Sequence, residues 1–257
     1  MRNGWMGLIL AVVASLAVSP AILAQTAAPS GERKATPDLS GIWLRVGAGQ
    51  IYDEVKEPLS MTPWAEALFK ANRAGLTDPR AQGIDEMDPS IYCMPMGTPR
   101  AYLPNYPVEI VQLPNRLYFL HETTHLVRRI YLDGRKVPDG YPPSFMGYST
   151  GKWEGDALVV ETVALNDLTW LDTLGHPHSD ALRITERIRR VKPDTLEIDF
   201  LFDYPKAYTK PWSGKKTFRL RLDWEIMEHN GYCEDRNRDE FRRKVLLGTE
   251  EWKTPGK

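Results

Sequence analysis

The amino-acid sequence predicts a mainly β fold, an antiparallel barrel with one helix and a long added loop. From residue 107 onward, short segments alternate apolar and polar residues, a pattern typical of strands with one dry face. Turn dipeptides such as Pro114-Asn115, Asp133-Gly134 and Glu154-Gly155 separate these segments. Because such turns join antiparallel neighbours, they favour hairpins over βαβ units.

The N-terminal residues predict the compartment. Arg2, the apolar run Leu8–Val18 and the small residues after it together predict a cleaved signal peptide at 1–24. The apolar run is too short to span a bilayer, so we expect a periplasmic or secreted protein without a membrane anchor. Residues 25–38, rich in Ala, Pro and Thr, are predicted to be a flexible leader. Residues 39–257 are predicted to be a single β-barrel domain with a charged C-terminal tail.

The chain has two cysteines, Cys93 and Cys233, far apart in the sequence. Two lone cysteines in an oxidising compartment most often pair, so we expect a disulfide bond between them. Two buried thiols are the alternative.

The charge of the chain is nearly balanced, with 33 Lys and Arg residues against 34 Asp and Glu residues. This balance gives no reason to expect a nucleic acid or an anionic membrane surface as a partner. The sequence contains no Gly-rich phosphate loop, no Gly-x-Ser-x-Gly segment and no Cys-x-x-Cys segment. Nucleotide cofactors and serine-hydrolase chemistry are therefore disfavoured, and the expected partner is a small molecule. The oligomeric state is not predicted.

The first elements are read from local signals. The fold is predicted to begin near Leu39–Trp43. Thr62 is a suitable helix cap and Pro63 a suitable first helical residue, while Gly75 is the expected stop. Residues 76–106, with many Pro, Asp and Met residues, predict a long irregular loop that covers one mouth of the fold.

The remaining predicted elements are strands, most of them dry on one side. Several such strands favour a closed barrel or a strongly curved sheet. In chain order they are Pro107–Leu113, Arg116–His121, His125–Leu132, Met146–Trp153, Asp156–Ala164, Leu182–Val191, Thr195–Asp203 and Lys216–Ile226.

Two stretches carry a resemblance to known proteins. Leu39-Ser40-Gly41-Ile42-Trp43 resembles the Gly-x-Trp first strand of lipocalin-like barrels, in which the tryptophan plugs one end, and residues 151–162 resemble their hairpins. The stretch from Cys93 to Trp212 is also similar to a family of secreted bacterial proteins. The resemblance implies a lipocalin-like barrel and no particular reaction.

Four of the five histidines lie in two close pairs, which indicates a polar site because histidine titrates near neutral pH and binds metals. His121 and His125 bracket His-Glu-Thr-Thr-His. Taken as one strand, this segment places both histidines and Arg129 on one face. The histidines would then be about 13 Å apart and unable to share a metal unless a turn intervenes. A zinc-peptidase motif would need a helix, which the β-rich flanks disfavour.

The second pair, His176 and His178, lies in a polar loop between two predicted strands. These histidines are close enough to converge on one ligand or one divalent metal ion, and Asp172 or Asp180 could orient an imidazole. A solvated connector is the alternative. Further candidates for ligand binding are Arg129, Glu161, Asn166, Trp170, Asp172, Tyr204 and Tyr208.

Glu186 lies between Ile184 and Ile188 on a predicted dry face. A carboxylate in such a place is either paired or raised in pKa, because burying a bare charge is costly. The sequence leaves both readings open: an ion pair with an arginine of a neighbouring strand, or a general acid or base in the cavity.

These patterns together predict a secreted enzyme that acts on a small organic molecule by His/carboxylate acid–base chemistry, as a lyase, isomerase or hydrolase. At least one histidine of each pair is expected at the same barrel mouth. No cofactor is required, and a divalent metal is left open. The alternative is a non-catalytic carrier of an apolar or aromatic ligand. The catalytic candidates are His121, His125, His176, His178, Glu186 and Asp180.

Overall fold

The strands of this protein pair side by side into one closed barrel. The computed structural model describes residues 36–47, 59–77, 88–92 and 94–225. Those residues form nine strands in one closed barrel and a single α-helix, which confirms the mainly β fold. The strands are β1 Gly41–Val46, β2 Val108–Leu113, β3 Arg116–His121, β4 Val127–Tyr131, β5 Tyr148–Glu154, β6 Ala157–Val163, β7 Arg183–Lys192, β8 Thr195–Asp203 and β9 Trp212–Leu220.

The helix α1, Pro63–Thr77, begins as its sequence signals predict. The Thr62 hydroxyl accepts a hydrogen bond from the Ala65 amide (3.3 Å), which satisfies one of the amides that a helix start leaves unpaired. The helix ends at Thr77 rather than at the expected stop, Gly75. No helix in the described part of the chain has the length and apolar character needed to cross a membrane.

One end of the barrel is closed by short turns, and we call it the hairpin end. The turns 114–115, 155–156 and 193–194 each have two residues. Trp43 is fully buried there, and its indole N–H donates to the Leu39 carbonyl (2.9 Å). The Arg190 guanidinium lies 5.4 Å from the centre of the Trp43 ring.

The opposite end, which we call the loop end, carries the long connections. Segments 122–126, 164–182 and 204–211 all join strands there. The helix α1 is tied to the same end, because the Thr62 amide donates to the Ala207 carbonyl (2.8 Å). The architecture therefore separates a tightly turned end from an end that is rich in loops.

The inward faces of β7 and β8 match the predicted dry faces. Side chains of Ile184, Glu186 and Ile188 alternate inward on β7 and are buried. On β8 the buried set is Leu196, Ile198, Phe200 and Phe202. Strand alternation alone is enough to place these residues.

The predicted hairpin at Asp133-Gly134 is wrong. Residues 132–147 instead carry the chain back toward the loop end, so that β5 runs parallel to β4, with Ile130 opposite Ser149. Prolines at 138, 142 and 143 lack the amide hydrogens that a returning antiparallel strand would need. The barrel is therefore antiparallel except at this one pair of strands.

The expectation of one continuous face from His121 to Arg129 is also wrong. A short 3-10 turn, Thr123–His125, separates β3 from β4, and His125 takes a positive φ of 50°. The turn changes which residues point inward: Val127 is 51% exposed, whereas Arg128 is buried. Arg129 consequently points outward.

The last strand begins and ends earlier than Lys216–Ile226. β9 covers Trp212–Leu220, and Leu222 beyond it is 91% exposed, so the predicted dry face continues only to Leu220. Cys93, Cys233, the segment 1–35 and the C-terminal tail from residue 226 lie outside the described residues, and the expectations for them stay predictions.

Candidate functional site at the loop end

The topology brings both histidine pairs to the loop end. His121 is the last residue of β3, and His125 lies in the turn that follows it. His176 and His178 belong to the connection between β6 and β7, which spans the same end. The expectation that they converge on a single cavity stays a prediction, whereas their placement at one end follows from the strand registers.

Asp172 and His176 form a buried carboxylate–imidazole pair. The Asp172 Oδ2 lies 2.8 Å from the Nδ1 of His176. Its Oδ1 accepts backbone N–H groups from Leu174 (2.9 Å) and from His176 itself (3.3 Å). Because both oxygens are engaged, the carboxylate is held in one orientation and fixes the imidazole with it.

The helix α1 covers this pair. The Phe69 ring stacks on the His176 imidazole, with centroids 4.3 Å apart and planes inclined by 22°. One turn later, the Asn72 amide donates to the Gly175 carbonyl (2.8 Å). Gly175 has a φ of 94°, and a Cβ there would lie 2.8 Å from the Asn72 Cβ, so the close approach of helix and loop requires glycine.

His178 is buried and neutral at pH 7. Burial lowers the pKa of its imidazole to about 4, and the backbone groups of Ser179 and Thr169 oppose this only in part. Neither ring nitrogen makes a hydrogen bond of good geometry within the described residues. An imidazole in this state can accept a hydrogen bond but carries no charge.

His121 is also buried and neutral. Burial, followed by the nearby charge of Arg128, lowers the pKa of its imidazole to about 3. Its ring meets the Tyr102 ring edge-to-face at 5.3 Å, and its Nε2 is without a partner among the described residues. The residue therefore lies where the barrel interior meets the loop end.

Tyr102 fills the barrel interior below His121. It comes from the segment between α1 and β2, and its ring packs on Phe119, Phe200 and Phe218 at centroid distances of 5.9 to 6.1 Å. Its hydroxyl accepts a hydrogen bond from Arg128. The space in which a lipocalin-like barrel would hold a ligand is here occupied by the chain itself.

Glu186 is one half of a buried ion pair inside the barrel. Its carboxylate accepts two hydrogen bonds from Arg128, the longer at 2.8 Å, and both side chains are fully buried. Arg128 also donates to Ser149 (3.1 Å) and Thr162 (2.7 Å). The arrangement is the ion pair that the sequence left open, although β4 is not a neighbour of β7.

Other candidates from the sequence are spread more widely. Asp180, His125 and Glu161 are exposed, and Glu161 lies on the outer face of β6. Trp170 is buried beneath the Arg100 guanidinium at 5.8 Å. Asn166 is half-buried, and its side-chain oxygen accepts the Leu168 amide (3.3 Å).

Two tyrosines that follow β8 anchor the β6–β7 connection, which carries His176 and His178. The Tyr204 hydroxyl donates to the Ser179 hydroxyl at 2.6 Å, and the Tyr208 hydroxyl donates to the Pro177 carbonyl at 3.3 Å. Both rings are buried, so they are anchors of the loop that carries His176 and His178.

The zinc-peptidase reading of His-Glu-Thr-Thr-His is wrong, because no α-helix forms there. His121 ends a strand and His125 ends a 3-10 turn, so the two do not lie one helical turn apart. Across the described residues, no three His, Cys, Asp or Glu side chains are grouped closely enough to hold a metal ion.

Neither a scan against protein-family models nor a search of curated proteins finds a match to this chain.

Sequence reasoning missed Arg128, Tyr102 and Phe69. The inward position of Arg128 was not predicted because the turn before β4 exchanges the inward and outward residues of that strand. The other two lie in segments where no strand alternation applies, and only Phe69 carried a signal, as an apolar residue in a predicted helix.

Proposed function

We propose that this protein is a secreted enzyme that carries out acid–base chemistry on a small organic molecule at the loop end. Asp172 and His176 are the proton-transfer pair in this proposal. The observation that supports it is the 2.8 Å contact between Asp172 Oδ2 and His176 Nδ1, with Oδ1 fixed by backbone amides. A carboxylate held in this way sets the tautomer of the imidazole and stabilises the imidazolium that forms.

In the proposed reaction, the proton on Nδ1 of His176 stays hydrogen-bonded to Asp172. The other ring nitrogen accepts a proton from the substrate and returns it to the product or leaving group. Lyases, isomerases and hydrolases all use such a step, and no cofactor is required for it.

The remaining histidines suit a different role. A general base works best when its pKa is near the working pH, and the pKa values of His121 and His178 are lowered to about 3 and about 4. Neutral imidazoles of this kind orient a polar substrate by hydrogen bonding. Among the carboxylates, Glu186 is compensated by Arg128, and Asp180 is exposed, so Asp172 is the best placed.

We also propose that the protein belongs among the lipocalin-like barrels. The closed barrel is compatible with it, as is Trp43 at the hairpin end. The carrier alternative is the weaker one, because Tyr102 occupies the interior in which a carried ligand would lie.

The experiment is an activity screen of the purified wild-type protein against a panel of small esters, lactones, hydroxy acids and carbonyl compounds. On any substrate found, His176→Gln should reduce kcat by about a hundredfold or more, since it removes the imidazole that transfers the proton in this proposal but keeps a hydrogen-bonding side chain. His125→Asn is the matched control, because His125 is exposed and asparagine tolerates its positive φ. Equal rates for wild type and His176→Gln would refute the role of the pair, and metal analysis of the same sample tests whether a metal is bound.

A further inference from the structure

A groove lies on the outer wall of the barrel, and we call it the tyrosine groove. It runs between β4 and the stretch 141–149, and its volume is about 330 Å³. Pockets of roughly 300 Å³ and above are the size that small ligands use.

The groove exists because the sheet is incomplete at this point. Among the described residues, β4 pairs with β5 only at Ile130 and Tyr131. The earlier part of β4, Val127 to Arg129, therefore faces the irregular segment 144–147 across the groove instead of a neighbouring strand. The parallel crossover that the sequence did not predict is thus what opens this surface.

Aromatic rings form much of the groove wall. Tyr131 and Tyr148 are stacked, with centroids 5.1 Å apart and planes inclined by 28°, and Tyr141 meets Tyr148 edge-to-face at 4.8 Å. Phe145 and Met146 add apolar surface. A flat ring is the group that such a wall packs against best.

Arg129 gives the groove its charge. Its guanidinium is exposed, and Nη1 lies 3.3 Å from the Tyr131 hydroxyl. Within the described part of the chain Arg129 makes no ion pair, and none of the groove-lining residues is an aspartate or a glutamate. The nearby Arg135 differs, because its charge is already paired with Asp133.

We propose that the tyrosine groove binds a planar aromatic carboxylate, with the ring against the tyrosines and the carboxylate on Arg129. Arginine presents N–H groups in a planar fork that matches a carboxylate. Among the described residues, the neutral Tyr131 hydroxyl is the hydrogen-bond partner of Arg129, and no carboxylate pairs with it. The residues that line this groove include neither Asp172 nor His176, so it is a different site from the proposed proton-transfer pair.

The test uses 2-naphthoate as the probe and follows its fluorescence during titration with the full chain. The wild type should bind 2-naphthoate saturably and bind the neutral isostere 2-naphthamide about tenfold more weakly. Arg129→Gln should weaken 2-naphthoate binding by about tenfold and leave 2-naphthamide binding unchanged. Tyr141→Ala should weaken the binding of both probes, because it removes a ring of the groove wall that both of them contact.

Arg183→Gln is the matched control, since Arg183 is an exposed arginine on β7 without an ion-pair partner in the described residues. It should bind 2-naphthoate as the wild type does, and so should His176→Gln, which separates this site from the proposed catalytic pair. The absence of saturable 2-naphthoate binding, or equal affinity in wild type and Arg129→Gln, would overturn the proposal.

Discussion

Arg128 and Glu186 reach across the barrel interior from strands that are not neighbours, β4 and β7, and meet as a fully buried ion pair. Two hydroxyls and the Tyr102 phenol take up the remaining donors of the guanidinium. Although burial disfavours the charge, the carboxylate keeps the pKa of Arg128 raised. A buried pair that is satisfied in this way is costly to break from one side.

Glu186→Gln should therefore lower the free energy of unfolding by about 3 kcal/mol, because it leaves Arg128 as an uncompensated buried charge. Denaturant titration followed by circular dichroism measures this. Glu154→Gln is the control, since it breaks only exposed pairs, with Lys152 and Arg187, and should leave stability unchanged. The double variant Arg128→Met with Glu186→Leu should be more stable than Glu186→Gln, and wild-type stability for Glu186→Gln would show that the pair is not structural.

The partner of Glu186 illustrates how far alternation carries a sequence-based prediction. The inward faces of β7 and β8 follow from a period of two, so Glu186 was placed correctly. The inward position of Arg128 was not predicted. One residue in the left-handed region, His125, turns the chain between β3 and β4. A single such turn exchanges inward and outward residues on the following strand, and composition gives little warning of it.

The segment that carries Tyr102 is fixed to the crossover between β4 and β5 at Gly97. This residue has a φ of 70°, its neighbour Thr98 donates to the Phe145 carbonyl (3.0 Å), and a Cβ at Gly97 would lie 2.4 Å from that oxygen. Gly97→Ala should destabilise by at least about 2 kcal/mol more than Gly155→Ala, because both require positive φ but only Gly97 is crowded. Thermal unfolding of the two variants gives the comparison, and equal losses would mean that the contact can relax freely.

The pair Asp172 and His176 was only half predictable. The sequence offered two aspartates, Asp172 and Asp180, that could orient an imidazole. The choice between them depends on backbone geometry, because Asp172 accepts the amides of Leu174 and His176 within one tight turn, whereas Asp180 faces solvent. The cover supplied by Phe69 is a long-range contact of the kind that local patterns do not encode.

The two neutral histidines predict a pH dependence of stability. Burial lowers the pKa of His178 to about 4 from the ordinary 6.5, so below pH 6.5 the unfolded chain binds a proton that the folded chain does not. The contribution of His178 to the free energy of unfolding is therefore fully present above pH 6.5 and is lost as the pH falls toward 4. The loss amounts to about 2 kcal/mol between pH 7 and pH 5. His121 acts in the same direction and over a wider range, since its pKa is lowered to about 3.

Unfolding free energies measured at pH 7, 6 and 5 test this dependence. His178→Gln should flatten the loss of stability by about 2 kcal/mol over that range, whatever its effect at pH 7, because glutamine does not titrate. An unchanged slope in His178→Gln would mean that His178 takes up its proton as readily in the folded protein as in the unfolded chain, which would contradict the lowered pKa.

Asp172→Asn tests whether Asp172 determines which ring nitrogen of His176 carries the proton. The asparagine oxygen can still accept the two backbone amides, but its NH₂ group now faces Nδ1 of His176 and must donate to it. The imidazole proton should therefore move from Nδ1 to Nε2, which ¹H–¹⁵N correlation spectra of the ring nitrogens resolve directly. Because the base then presents a hydrogen where it needs a lone pair, kcat on any substrate found should fall by about a hundredfold or more while KM changes little. Asp180→Asn, the exposed alternative, should alter neither the tautomer nor the rate, and a wild-type tautomer in Asp172→Asn would show that Asp172 does not set the state of His176.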